Sequence, residues 1–357
     1  MNSKERMFNV FNGAAIDRIP AAPHWWGLYK FQLAGIASDY SEEDKCWTMY
    51  GDALAAVDSL FYETFRPDWF HLGIGFDNSP DTKYRNDKLF EIIEQAGRLD
   101  SIAVLDEYVS LKYMKADEIK KTNQYDHVRT LAGKYGEEVF IALNEGNPIC
   151  EILDPHGPIG FEKGLIALKE EPELMEYLIY KEYDMMLEKI KVLKEYGCHG
   201  YIGSETYCTP DIISPSTYRD LIFPAQQHFY KKVADMGMIP IVYFLGDVLP
   251  LIEDINQLGV KALLVEEPKK GYALDGVEIR KRLDEGITLF GNLDSVYTLL
   301  YGKVEDVRAE AAKQLEAARH GRFILANGCP IAFDTPKENI LEMMKAAEMY
   351  GGLKEFC

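Results

Sequence analysis

The six cysteines, at 46, 150, 198, 208, 329 and 357, include no C-x-x-C pair. Neither a disulfide framework nor a four-cysteine zinc site is expected, and the cysteines read as reduced thiols. Positive charge is also scarce: 39 Lys and Arg stand against 58 Asp and Glu, a net charge of -19. That excess repels nucleic-acid phosphates and anionic membrane surfaces, so neither is expected as a partner. No apolar run reaches the roughly 18 residues of a membrane span. The N-terminal MNSKERMFNVFNGAAIDRIP carries charges where a signal peptide needs an apolar stretch, so a cytoplasmic protein is expected. No repeat, low-complexity tract or Pro/Gly/Ser-rich linker divides the chain, which reads as one domain over residues 1–357. No glycine-rich dinucleotide fingerprint follows the first apolar run, and no P-loop pattern occurs.

What is present is apolar matter, 47% of residues, enough for a sizeable core. It is arranged in short runs: IPAAP (19–23), DWFHL (68–72), VFIAL (139–143), GYIGS (200–204), IPIVYF (239–244), KALLV (261–265), GITLF (286–290) and RFILA (322–326). Amphipathic stretches separate the later runs, three of them ending on Gly197, Gly237 and Gly321, where a left-handed cap is expected. Ser214-Pro215 reads as an N-cap followed by proline at the first helical position. Short apolar strands alternating with helices imply a parallel sheet, because parallel strands need crossover connections. At this length the closed (β/α)8 TIM barrel leads, with an open doubly wound sheet second. Segment 77–138 fits the alternation poorly and reads as an insertion or small cap between the second and third strands.

In such barrels the active site lies on the loops after the strands. Those loops collect His24, Trp25, Trp26, His71, Asn144, Glu145, Glu205, Tyr243, Asp247, Glu266, Glu267, Asn292, Asp294, Asn327 and Cys329. Crowded carboxylates in a low dielectric repel, so some must bind a cation, share a proton or be hydrogen-bonded. Cys329 sits on a Gly-Cys-Pro loop rather than inside an apolar run, which points to function over packing. Glu205 ends an apolar run, where a charge is costly without a partner. Glu266 and Glu267 are adjacent, so while the strand persists at most one faces the site. His24 reads equally as a satisfied core histidine or as a ligand-facing group, and Tyr243 in a strand is ordinarily barrel filling.

Five segments together carry a family likeness: KERMFNVFNGAAIDRIP, DIISPSTYRDLIFP, YFLGD, LFGNLDSVYTLLYG and NGCPIAFDTPKENI. In this order they resemble the uroporphyrinogen decarboxylase superfamily, whose fold is a (β/α)8 barrel. Its decarboxylases resemble one another in an Arg-Gln-Ala-Gly-Arg stretch after the first strand, and here that region reads PHWWGLYKFQLAG. A polyanionic porphyrinogen needs cationic donors, so the resemblance favours the other branch, the corrinoid-dependent methyltransferases. Members acting on coenzyme M bind zinc through a His-x-Cys pair after the fifth strand and a closing cysteine. Cys329 matches the cysteine, whereas the pair reads Tyr243-Phe244-Leu245.

The resemblance therefore implies methyl transfer between a small methylated substrate and the cobalt of a partner corrinoid protein. The corrinoid is carried by that partner. Zinc would be rebuilt on Cys329, Glu205 and Glu267 or Glu266, a set zinc accepts. Related aromatic methyl ether demethylases have carboxylate-containing zinc sites, and an aromatic ether suits Trp25, Trp26 and Trp69. Expected catalytic residues are Tyr243, Asp247 and Glu266, with Tyr243 or a protonated carboxyl as acid if no metal serves. His24, Trp25, Trp26 and Asn292 are expected to line the substrate. The alternatives are a uroporphyrinogen-type decarboxylase and a non-catalytic ligand-binding barrel. Association of the chain with itself is left open.

Overall fold

A computed structural model describes residues 1–77, 79–96, 101–154, 157, 159–269 and 271–350. Seven strands form one sheet in chain order: β1 Trp69–Leu72, β2 Phe140–Asn144, β3 Gly200–Glu205, β4 Ile239–Phe244, β5 Ala262–Val265, β6 Thr288–Phe290 and β7 Phe323–Ile324. Every neighbouring pair is parallel. The expected first strand, 19–23, shrinks to a bridge between Ala21 and Leu325. Prolines at 20 and 23 withdraw two N–H donors from the ladder, and Ala22 N is left to make the pairing with Leu325 O. The segment still closes the sheet. Ala22 N donates to Leu325 O at 2.9 Å, and Asp68 N, just before β1, donates to Ala21 O at 2.8 Å. The result is a (β/α)8 barrel in which the eighth position is a bridge.

Strand alternation divides the core in two. Trp69, Phe140, Ala142, Ile202, Ile241, Tyr243, Ala262, Leu264, Phe290, Ile324 and Ala326 fill the lumen. The helix Ser3–Asn12 closes the lumen from below with Met7, Val10 and Phe11. It is started by an Asn2–Glu5 capping box and stopped at Gly13, φ 68°. Its left-handed backbone favours glycine, and a Cβ there would have to push the Arg322 guanidinium aside. The opposite strand faces, with Phe70, Ile141, Leu143, Tyr201, Val242, Phe244, Leu263 and Leu289, pack under the helices.

The helix stops expected at Gly197 and Gly237 are present, with φ of 88° and 76°, whereas Gly321, at φ 143° and ψ -168°, is not the left-handed cap expected there. Ser214 caps as expected, accepting from Thr217 N at 3.2 Å. Within segment 77–138 the described residues form the helices Pro80–Ala96, Ile102–Lys112, Ala116–Ile119 and Asp126–Tyr135. The segment is tied to the barrel wall by Lys112, whose ammonium reaches Glu182 of the helix Pro172–Glu195 at 2.9 Å. Among the described residues no helix is long and apolar enough to cross a membrane. Cys357 lies outside the described residues, and the other five cysteines are free.

Candidate active site at the mouth of the barrel

Because strand side chains alternate, the lumen rows continue upward into the mouth. Above Ala22 stands His24, above Trp69 stands His71, and Tyr243 tops the row begun by Ile241. His24 stacks on His71 with centroids 4.4 Å apart and meets Tyr243 edge-on at 4.8 Å. Burial pushes His24 down to about 3 and His71 well below the ordinary histidine range, so both imidazoles are neutral. His24 Nε2 accepts from Trp26 Nε1 at 2.6 Å. An indole N–H is a donor only, so the His24 proton sits on Nδ1. Among the described residues neither ring nitrogen of His71 has a hydrogen-bond partner.

Tyr243 leads to the thiol. Its hydroxyl donates to Gly328 O at 2.8 Å and lies 3.7 Å from Cys329 Sγ. Lys269 Nζ donates to the same sulfur at 2.9 Å. That ammonium also lies 3.4 Å from Glu266 Oε2 and 3.6 Å from Glu267 Oε1. Both glutamates therefore reach one cation, contrary to the expectation that only one could face the site. The strand ends at Val265, so the alternation that would separate them has lapsed. Glu266 is further held by the Tyr272 hydroxyl at 2.6 Å.

Burial pushes the Cys329 thiol up to about 11, and the Glu267 charge adds to this, while Lys269 and Tyr243 pull the other way. The thiol is protonated at neutral pH. Burial likewise raises Glu267 and Tyr243. The loop that carries Cys329 is fixed from below. Cys329 O accepts from Asn327 Nδ2 and from Ser295 Oγ, each at 2.6 Å, and Asn327 Oδ1 accepts from His24 N at 2.8 Å. A Cβ on Gly328 would fall 2.2 Å from Glu267 N, so only glycine lets the two loops approach.

The remaining expected residues are placed differently. Asn292 uses its amide to tie the loops after β5 and β6, donating to Glu266 O at 3.2 Å and Leu274 O at 2.8 Å. Asp247 caps its own turn by accepting from Leu249 N at 3.1 Å. Trp25 stacks on Phe61 at 4.1 Å in the layer outside the barrel, while Trp26 stays at the mouth on His24. Lys269 is absent from the expected set, although only Pro268 separates it from Glu266 and Glu267 in EEPKK. A cation three residues after a strand-end acid was the available signal.

Glu205 does not join Cys329. Ile202 faces the lumen, so Glu205 faces the helices, beside Tyr230, Asn147, Cys208 and Gln226. It accepts from the Tyr230 hydroxyl at 3.1 Å and from Asn147 Nδ2. Burial raises its carboxyl from 4.5 to about 7. A raised value means the fold favours the neutral form, so this contribution is complete below the unfolded value and is lost as pH rises through about 7. Glu205→Gln keeps the shape and cannot ionise. Between about pH 5 and 8, wild-type stability is expected to fall relative to the variant by about 3 kcal/mol. Urea unfolding across that range checks this, and parallel curves would sink it.

Zinc held as the resemblance implies does not fit these side chains. Positions 243 and 245 are Tyr and Leu, Cys329 already faces an ammonium, and Glu205 is on the wrong face of its strand. Among the described residues no three His, Cys, Asp or Glu converge as metal ligands.

The profile of the uroporphyrinogen decarboxylase (URO-D) family matches residues 109–350, more than half of the chain. The chain belongs to this family. Among its relatives, the methylcobamide:CoM methyltransferase MtaA of Methanosarcina barkeri is 29% identical over 60% of this chain and 62% of its own length. The chain thus spans less than two thirds of that relative. The methylcobamide:CoM methyltransferase MtbA of Methanosarcina mazei is 23% identical over 97% of this chain and 98% of its own. In structure, a methyltransferase from Methanosarcina mazei superposes with a TM-score of 0.76 at 19% identity, covering 98% of both chains, which establishes the barrel. This URO-D family member therefore has the family fold, with a mouth built on Lys269, Cys329, Tyr243 and two neutral histidines.

Proposed function

We propose that this URO-D family protein is a methyltransferase moving a methyl group from a small methylated donor, an aromatic methyl ether being one class that fits, to the cobalt of a partner corrinoid protein. The observation that carries this reading is the distribution of cations. Arg6 and Arg18 bond Asp68, and Arg280 and Arg322 bond Ile287 O and Gly286 O, all at the N-terminal ends of strands. At the mouth the ammonium of Lys269 is already shared among a thiol and two carboxylates. A substrate bearing many carboxylates would meet Glu266 and Glu267 there rather than a cationic cradle. A neutral methylated molecule meets no such conflict. The relatives named as methylcobamide:CoM methyltransferases support the same class.

The bound corrinoid would supply the metal that takes the methyl group. This chain's part is charge management at the atom left behind. Loss of methyl from an ether oxygen leaves an alkoxide or phenoxide, which must be neutralised. The Lys269 ammonium is about two-fifths exposed, with a side-chain exposure of 38%, so a bound oxygen can share its N–H groups. Tyr243, held by Gly328 O, forms the adjoining wall, and Trp26, held through its indole N–H by His24, supplies a flat face for an aryl ring. The test mixes the protein with cob(I)alamin and separate donors, including methoxyphenols and methanol, and follows the cobalt absorbance. Donor-dependent conversion is the expected result. Failure with every donor, alongside consumption of uroporphyrinogen, would overturn it.

A further inference from the structure

The metal of the resembled methyltransferases and the side chains of this mouth disagree, and the disagreement has a definite geometry. One cation, Lys269 Nζ, stands 2.9 Å from a sulfur and 3.4 and 3.6 Å from two carboxylate oxygens of separate residues. We propose that the Lys269 ammonium takes the place of a metal ion, gathering Cys329, Glu266 and Glu267 as a divalent cation would.

The arrangement is not an incidental surface pair. The two carboxylate side chains are 1% and 3% exposed, so the positive charge compensates groups that water cannot. The three donors come from two loops, after β5 and around Cys329, that are brought together by the close approach at Gly328. Asn292 and Asn327 hold each loop by its backbone. The backbones that carry the three donors are thus held together by contacts that do not involve the lysine. An ammonium offers three N–H donors and no vacant coordination position, so it attracts a developing anion without binding a thiol substrate as a thiolate. The mouth is built to stabilise a leaving oxygen, and not to activate an acceptor thiol. The placement of the ammonium stands whether or not the methyl-transfer reading does.

Cobalt(II) is the probe, because thiolate coordination gives a near-ultraviolet charge-transfer band that carbonyl or carboxylate ligands do not. Wild type is expected to show no such band. Lys269→Ala and Lys269→Ser leave the three donors facing an empty centre, and each is expected to develop the band at one equivalent. Adding Cys329→Ser is expected to abolish it. A Cys329-dependent band in wild type would overturn the proposal, since the metal would then displace the ammonium. So would its absence from a lysine variant whose circular dichroism matches wild type. Because no turnover is read, failure of the methyltransferase assay leaves this result separately interpretable.

Discussion

Lys269→Ala is expected to lower kcat for methyl transfer by about 10²- to 10³-fold, the usual loss when one preorganised donor to a developing oxyanion is removed. KM for the donor is expected to change little, because the ground-state ether oxygen carries no charge for the ammonium to hold. Lys269→Arg keeps the charge but spreads it over a planar fork that does not match a sulfur and two carboxylates around a point. Partial recovery is therefore expected from arginine. Steady-state rates with wild type and both variants check this. Equal rates for Ala and Arg, or a loss confined to KM, would show that Lys269 only holds the loops together.

The largest stability effect is expected at the other end of the barrel. Asp68, fully buried, accepts from Arg6 Nη1 at 2.6 Å, Arg18 Nη1 at 2.8 Å, Ser3 Oγ at 2.9 Å and Ala21 N at 2.8 Å. One carboxylate thereby ties the plug helix, the closing bridge and β1. Asp68→Ala leaves two guanidinium groups and a backbone N–H facing a void, with Arg6 keeping Asp17 and Met1 O and Arg18 keeping Ile19 O. A loss of about 3–5 kcal/mol is expected, that of a buried ion pair broken from one side. Urea unfolding measures it. A loss below about 1 kcal/mol, the range of exposed pairs, would mean that the barrel is closed by packing alone.

The two sites differ in how far they could be read in advance. The parallel barrel was legible because short apolar runs alternate with amphipathic stretches, and glycines mark where helices stop. The run at 19–23 has the same apolar pattern as the others, and the structure reduces it to a bridge. Parity within each run was not legible. A parallel strand buried on both faces is apolar on both, so GYIGSE carries no mark of which side Glu205 takes. The packing of Ile202 into the lumen settles that, and it removes Glu205 from Cys329. Glu266 and Glu267 were separated on paper by an alternation that stops at Val265, and one residue of strand length decides it.

That Cys329, Tyr243 and His24 lie together at the mouth is legible because strand-end loops gather at one end of a barrel. Lys269 was missed because its role depends on a sulfur 60 positions away in sequence. By itself the sequence determined the class of fold and the end of the barrel where chemistry gathers, since both follow from local composition and spacing, and the family resemblance added the loss of the His-x-Cys pair. Only the tertiary structure decided which carboxylates meet a cation and which cation it is. Contacts between loops of different strands exist only once the barrel has closed, and closure rests on Asp68 and the bridge at Ala21.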